Sequence, residues 1–190
     1  MIQKFVFQEL DLKGAYLITP FYATDERGGL IKDYNIETFR NAGIDHELKE
    51  TFYTLSKRGV IRAIHFQLEK TQPKLMRCIS GHVYHVIVDL RPESETYGQW
   101  RHFDLRGDNP LSLLVPAGFG QGYLVIEDAV MSYKASEVFY APGDSGIMFD
   151  DPDIAIDWPF ELIGGKNNLI ISEKDKKLMT FKEYTEQAKG

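Results

Sequence analysis

From Phe52 to Ala135 the sequence is a succession of apolar-rich runs, each about six residues long, separated by Gly, Pro, Asn and Asp. No segment there carries a helix-length 3.6 period. Strands at that spacing build a sandwich or barrel rather than βαβ units, which need a helix between successive strands. The runs are Phe52 to Leu55, Val60 to Gln67, Lys74 to Ser80, His82 to Asp89, Trp100 to Leu105, Leu111 to Val115, Gly122 to Ile126 and Ala129 to Ala135. Turn chemistry divides them at Ser80-Gly81, Gly107-Asp108-Asn109-Pro110, Pro116-Ala117-Gly118 and Glu127-Asp128. The expected fold is mainly β, an antiparallel barrel or jelly roll with a few short helices. At 190 residues it is expected to be one domain.

Helices are expected only at the margins. Asn35 caps Ile36 to Ala42 and Gly43 follows, an N-cap residue and a C′ glycine around two turns. Thr180 with Glu183 three residues later is a capping box that opens a terminal helix to about Ala188. Before the first helix, Ala15 to Thr19 and Leu30 to Tyr34 read as extended, with a turn at Asp25-Glu26-Arg27-Gly28-Gly29. After Tyr140 the chain is loop-rich, with a last extended piece at Leu169 to Ile171.

Composition narrows the function classes. A formal net charge of −6 and no dense Lys/Arg run argue against a nucleic-acid partner. No stretch reaches the ~20 apolar residues of a membrane span, and the N-terminus has no apolar signal core, so a soluble cytoplasmic protein is expected. Cys78 is the single cysteine; in an apolar run it reads as a buried, inert thiol.

The polar residues inside the strands carry the chemistry. Gly59 to Gln67 is a β-branched run interrupted by Arg62 and His65, and the next strand begins with Lys74. Side chains alternate along a strand. Alternation gives His65 the companions Ile61, Ala63 and Gln67, Lys74 the companions Met76 and Cys78, and Tyr133 the companion Met131. Histidine, lysine and tyrosine around one cavity suit proton abstraction beside a carbonyl: an imidazole takes the proton, an ammonium holds the oxyanion and a phenol returns a proton. Each also has an ordinary reading, as a core histidine, a lysine reaching solvent and a packing tyrosine. Arg62, three residues from His65, falls on the opposite face, so either a bulge re-aims it or it lies outside the pocket. His65, His82 and His85 do not form a metal-ligand signature. Gly118-Phe119-Gly120-Gln121-Gly122 follows a proline and reads as turn glycines rather than a phosphate loop.

An ordered series of motifs along nearly the whole chain resembles the dTDP-4-dehydrorhamnose 3,5-epimerase family. It runs through Asp25-Glu26-Arg27-Gly28, Gly59-Val60-Ile61-Arg62 with His65 and Gln67, Lys74-Leu75 with Arg77-Cys78, Val88-Asp89-Leu90-Arg91, Pro116-Ala117-Gly118-Phe119, Tyr133-Lys134, Asp150-Asp151-Pro152, Trp158-Pro159 and Ser172-Glu173-Lys174-Asp175. The resemblance implies a cupin-like jelly roll, no metal or cofactor, and a homodimer in which the N-terminal region of one chain closes the other's site. It implies a nucleotide-diphosphate sugar as substrate. His65 oriented by Asp175 is the implied base, Lys74 the enolate-stabilising cation and Tyr133 the acid on the other sugar face, with Arg27 and Arg62 on the diphosphate. The sequence departs from the family pattern at Gly29, Leu30 and Lys32, at Glu50 and Phe52, at Gln121 where histidine is usual, and at His85 where aspartate is usual. The resemblance implies that the positions of Lys32, Glu50 and Phe52 belong to the nucleotide-contacting region. A lysine in place of a carboxylate there turns an acceptor into a donor. The expectation is that the chemistry persists while the nucleotide, the sugar or the number of carbons inverted differs. The alternatives are a C5-only or C3-only epimerase of a CDP- or GDP-linked sugar, or a catalytically silent sugar-nucleotide-binding cupin.

Overall fold

The computed structural model describes residues 2–187. Two long strands organise it, β8 (Lys74–Asp89) and β11 (Phe119–Ala135), paired antiparallel along nearly their whole length. Each takes a different second partner on each half. The N-terminal half of β8 pairs with β10 (Ser112–Val115), its C-terminal half with β9 (Trp100–Arg106). The first half of β11 pairs with β7 (Ile61–Gln67), its second half with β6 (Glu50–Ser56). One long, bent pair of strands therefore serves both layers of a sandwich. Outer strands extend the layers: β2 (Val6–Glu9) and β3 (Tyr16–Thr19) beyond β10, and β12 (Asp144–Gly146) beyond β7. A separate three-stranded sheet is made by β1 (Ile2–Gln3), β4 (Phe21–Asp25) and β5 (Gly28–Lys32).

Two expected turns are corners instead. Ser80-Gly81 lies inside β8 and Glu127-Asp128 inside β11, where the register between the two shifts from Val125 to Met131. Gly81 has φ +80°, and a Cβ there would sit 2.0 Å from the Asp128 carbonyl oxygen. The same small and polar residues that close a hairpin also relieve the ladder where a strand bends between sheets, so sequence alone reads a bulge as a turn. For the same reason Gly120 and Gly122 are strand residues of β11, not turn residues, whereas Gly118, at φ +81°, does close the turn after Pro116.

Three apolar clusters hold the layers. The interior contains Leu12, Met76, Cys78, Val83, Ile87, Leu105, Leu113, Val125, Met131 and Tyr133. The outer face of the β7 layer is covered by the C-terminal segments, Trp158, Ile163 and Tyr184 packing on Ile61, Ile64, Val86 and Leu124. The outer face of the β10 layer is covered by α1 (Ile36–Asn41), whose Phe39 packs on Ile18, Leu75 and Leu114. That helix is built as its local chemistry dictates: Asn35 Oδ1 accepts from Thr38 N at 2.9 Å, and Gly43 has φ +79°. At α2 (Phe181–Gln187), Glu183 Oε2 accepts from Thr180 N at 2.7 Å and Thr180 Oγ1 from Glu183 N at 3.1 Å; the expected end at Ala188 lies outside the described residues. Cys78 is buried, its thiol donating to the Ser80 carbonyl at 3.1 Å, and burial pushes its pKa up to about 11, away from nucleophilic use. No described helix is long and apolar enough to cross a membrane.

Candidate active site

A cavity of about 420 Å³ opens where β6, β7, β8 and β11 meet, and His65, Lys74, Tyr133, Arg62, Glu50, Phe52 and Gln121 all line it. Seven side chains chosen from sequence thus share one space. A narrower cavity of about 110 Å³ continues behind it toward Pro116 and Tyr184, with His65, Lys74 and Gln121 on the partition.

Arg62 reaches this space through a bulge. His65 pairs with Gln121 and Arg62 with Tyr123, so three steps along β7 match two along β11. The extra residue falls around Ala63 and Ile64, joined by a cis peptide bond and both packed in the outer cluster although adjacent in sequence. This corrects the expected alternation. Ile61 and Ala63 do not accompany His65 into the cavity but pack outward with Ile64 and Phe66. The close approach of β7 to β11 depends on glycine: a Cβ on Gly122 would meet the Ala63 Cβ at 2.5 Å and the Arg62 carbonyl oxygen at 2.6 Å. Arg62 Nε then donates to Ser56 Oγ at 3.1 Å, which fixes the guanidinium at the cavity wall.

His65 Nε2 lies 3.3 Å from Asp175 Oδ2, and the Asp175 backbone N–H donates to Ser172 Oγ at 3.0 Å. Burial raises the Asp175 pKa, but the hydrogen bond and charge of His65 outweigh it and hold the carboxyl below its ordinary value. With Nε2 facing the carboxylate, Nδ1 is the ring nitrogen left to accept a proton. Lys74 has its pKa lowered by burial, against which the Asp144 and Glu50 carboxylates act. Tyr133 lies at 4% exposure, and burial, reinforced by Tyr123, holds its phenol pKa well above the usual value, so it stays protonated. A hydrogen-bonded imidazole, an amine and a protonated phenol around one cavity can carry a proton off and onto carbon while an oxyanion is held.

The departures from the family pattern have definite places. Phe52 stacks on Tyr133, ring centroids 4.7 Å apart and 4° from parallel. Glu50 Oε2 accepts from Gln72 Nε2 at 2.9 Å and from Phe139 N at 2.7 Å, tying the cavity mouth together. Arg27 and Lys32 are elsewhere. Arg27 is exposed on the β4–β5 hairpin with its guanidinium on Asp25, and Lys32 lies 5.7 Å above the Phe21 ring; neither lines the cavity of its own chain.

Sequence reasoning missed half of the cavity's lining, including Tyr123, Thr54, Asp144 and Lys174. Tyr123 is two residues beyond Gln121 and Thr54 two beyond Phe52, so alternation could have found both; they share a 2.8 Å hydrogen bond. Asp144 and Lys174, which pair with each other at the cavity edge, sit in segments without periodicity. Among the described residues no group of His, Cys, Asp and Glu is arranged to hold a metal ion.

Residues 9–183 match the model of the dTDP-4-dehydrorhamnose 3,5-epimerase family. The dTDP-4-dehydrorhamnose 3,5-epimerase of Methanothermobacter thermautotrophicus is 41% identical over 181 residues, spanning 95% of this chain and 96% of its own. The dTDP-6-deoxy-D-glucose-3,5-epimerase of Legionella pneumophila, solved with dTDP-4-keto-L-rhamnose, superimposes with a TM-score of 0.88 at 28% identity over 94% of each chain. A 3′-monoepimerase of Streptomyces bikiniensis, solved with dTDP-quinovose, superimposes with a TM-score of 0.86 at 26% identity, covering 95% of this chain and 90% of its own.

Proposed function

Since this chain belongs to the dTDP-4-dehydrorhamnose 3,5-epimerase family and is a carbohydrate epimerase, with a cupin-like fold, we propose that it inverts C3 and C5 of a dTDP-linked 4-keto-6-deoxy sugar. The observation that carries the reading is the presence of His65, Lys74 and Tyr133 on one cavity, with Asp175 behind the histidine. His65 takes the proton from the carbon beside the C4 ketone. The electron pair moves onto the ketone oxygen as an enolate, which the Lys74 ammonium stabilises. Tyr133 returns a proton to the carbon from the opposite face, and solvent restores both groups. Proton removal and return balance without metal or redox cofactor.

Arg62 serves the diphosphate at the rim, and Glu50, Phe52, Gln121 and Lys32 contact substrate. Arg27 and Lys32 act in the site of a second copy of the chain, in a homodimer. Their remoteness from the cavity of their own chain supports that arrangement, as do Ile2 at 72% and Leu30 at 57% exposure on the same small sheet. The chain works as a single domain in the cytoplasm. A second reading, inversion of one carbon only, is favoured by Phe52, whose ring covers one face of Tyr133 and so restricts the approach of the proton donor.

A melting-temperature panel with dTDP, CDP, GDP and UDP tests the nucleotide. At a hundredfold excess over Kd, dTDP should raise Tm by roughly 5–10 °C for a chain of this size. A larger shift with CDP or GDP would reassign the base, and no shift with any of them would remove the sugar-nucleotide reading.

A further inference from the structure

Two of the positions at which the sequence departs from the family pattern, His85 and Gln121, touch each other. His85 Nε2 lies 3.1 Å from Gln121 Oε1 across β8 and β11. His85 is at 0% exposure, with Tyr123 and Phe103 as its register neighbours and the Tyr123 ring stacked 6.0 Å away. Gln121 pairs with His65 in the β7–β11 register and lines both cavities.

The chemistry of the contact has one consistent solution. Burial pulls the His85 pKa down to about 4, so the ring is neutral and carries a single N–H. His85 Nδ1 is buried without a partner. Placing the proton on Nδ1 would orphan a buried donor and set a nitrogen lone pair against the Gln121 oxygen. Placing it on Nε2 makes the hydrogen bond and leaves only a lone pair unsatisfied, the smaller cost. Turning the Gln121 amide around restores a bond to Nε2 only by moving the proton to Nδ1, which orphans it again. With its oxygen engaged by His85, Gln121 keeps its amide nitrogen free. That nitrogen has no protein partner among the described residues and is not among the buried unpartnered atoms, so it is open to the cavity.

We infer that His85 and Gln121 form one positioning unit, in which His85 Nε2–H anchors the Gln121 oxygen and thereby turns the Gln121 amide N–H toward an oxygen of the bound 4-keto sugar, beside His65 and Lys74. His85 acts only through Gln121. The two departures are then a single compensated exchange. The usual aspartate at position 85 would offer an acceptor, which would reverse the glutamine and aim its oxygen at the sugar. The usual histidine at position 121 would accept the His85 N–H on one ring nitrogen and keep an N–H on the other. Aspartate at position 85 alone therefore breaks the donor, and adding histidine at position 121 rebuilds one, now on an imidazole able to titrate.

This inference rests on the epimerase reading, and the experiment separates their failures. Wild type, His85→Asp, Gln121→His, the double variant, His85→Phe and His85→Gln are compared for folding and for kcat/KM across pH on the dTDP-4-keto-6-deoxy sugar. No turnover by wild type would overturn the proposed function itself. Given turnover, the expectation is a loss of about tenfold in each of His85→Asp and His85→Phe, and a smaller loss in Gln121→His, which keeps a ring N–H. The double variant should recover to within about threefold of wild type, with one additional ionisation between about pH 6 and 8. His85→Gln, which keeps a donor at the Nε2 position, should also stay within about threefold. The inference is overturned by a folded His85→Phe with wild-type kcat/KM, by His85→Gln as impaired as His85→Phe, or by a double variant no better than the worse single change.

Discussion

The cavity wall and the β4–β5 hairpin hold the two arginines that the family resemblance assigns to one diphosphate, and they hold them very differently. Arg62 is delivered by a bulge and anchored on Ser56, exposed at the rim of a cavity it lines with residues of its own chain. Arg27 stands 85% exposed on a small separate sheet, held by Asp25 two residues away. An exposed ion pair of that kind contributes little to stability. The wall is a finished structure within one chain, its polar groups oriented by neighbours before any ligand arrives. The small sheet has a cation and exposed apolar residues, and among the described residues that cation pairs only with Asp25. A site assembled from two chains would produce such a pairing.

Leaving the base itself aside, the largest expected effect is on the wall. Lys74→Ala should lower kcat by about 10²- to 10³-fold, the usual cost of removing a donor from an oxyanion site, with little change in Kd for dTDP. Arg27→Ala should instead lower kcat/KM by about tenfold through weaker diphosphate binding. Mixed subunits of the two variants then sharpen the contrast. If the hairpin serves its partner, each mixed dimer keeps one intact site, and assays below KM should recover about a quarter of wild-type activity. Recovery no greater than the average of the separate variants would return the hairpin to its own chain.

A smaller effect tests how the wall is built. Gly122→Ala forces a Cβ against the β7 backbone at Ala63 and Arg62, and urea denaturation should report a loss of about 1–3 kcal/mol with a raised KM. The same substitution at exposed Gly43, which closes α1 and where a Cβ meets nothing within 4 Å, should leave KM alone apart from the stability cost of its φ of +79°. The smallest effect concerns Asp175. Its folded pKa lies below the ordinary 3.8, so the stability it contributes is present above that value and lost as pH falls through the folded one. The stability gap between wild type and Asp175→Asn should therefore narrow below about pH 4.

Much of this was legible in the sequence wherever the determinant was local. Asn35, Gly43 and the Thr180–Glu183 box mark helix ends because capping involves residues only a few positions apart. Strand existence was legible from composition, but strand continuity was not: Ser80-Gly81 and Glu127-Asp128 have the chemistry of turns and the geometry of corners, and only the partner strand distinguishes them. The assembly of His65, Lys74 and Tyr133 followed from alternation, yet alternation failed within β7 itself, because one extra residue between Arg62 and His65 reverses the parity. Asp175 lies 110 residues from His65, and no spacing rule connects them; only the family resemblance pointed there. Asp144 carried no signal and Lys174 only membership of a family motif, since a short edge strand and a loop cross the cavity mouth without periodicity.

The central claim is that His65, oriented by Asp175 on the bulged wall, removes a proton from carbon. Incubating wild type and His65→Asn with the dTDP-4-keto-6-deoxy sugar in deuterated water, and reading deuterium at C3 and C5, tests it directly. Wild type should incorporate deuterium at the carbons it inverts, while His65→Asn should lose exchange by about 10³-fold or more and still bind dTDP with unchanged Kd. Exchange by His65→Asn at the wild-type rate would contradict the account.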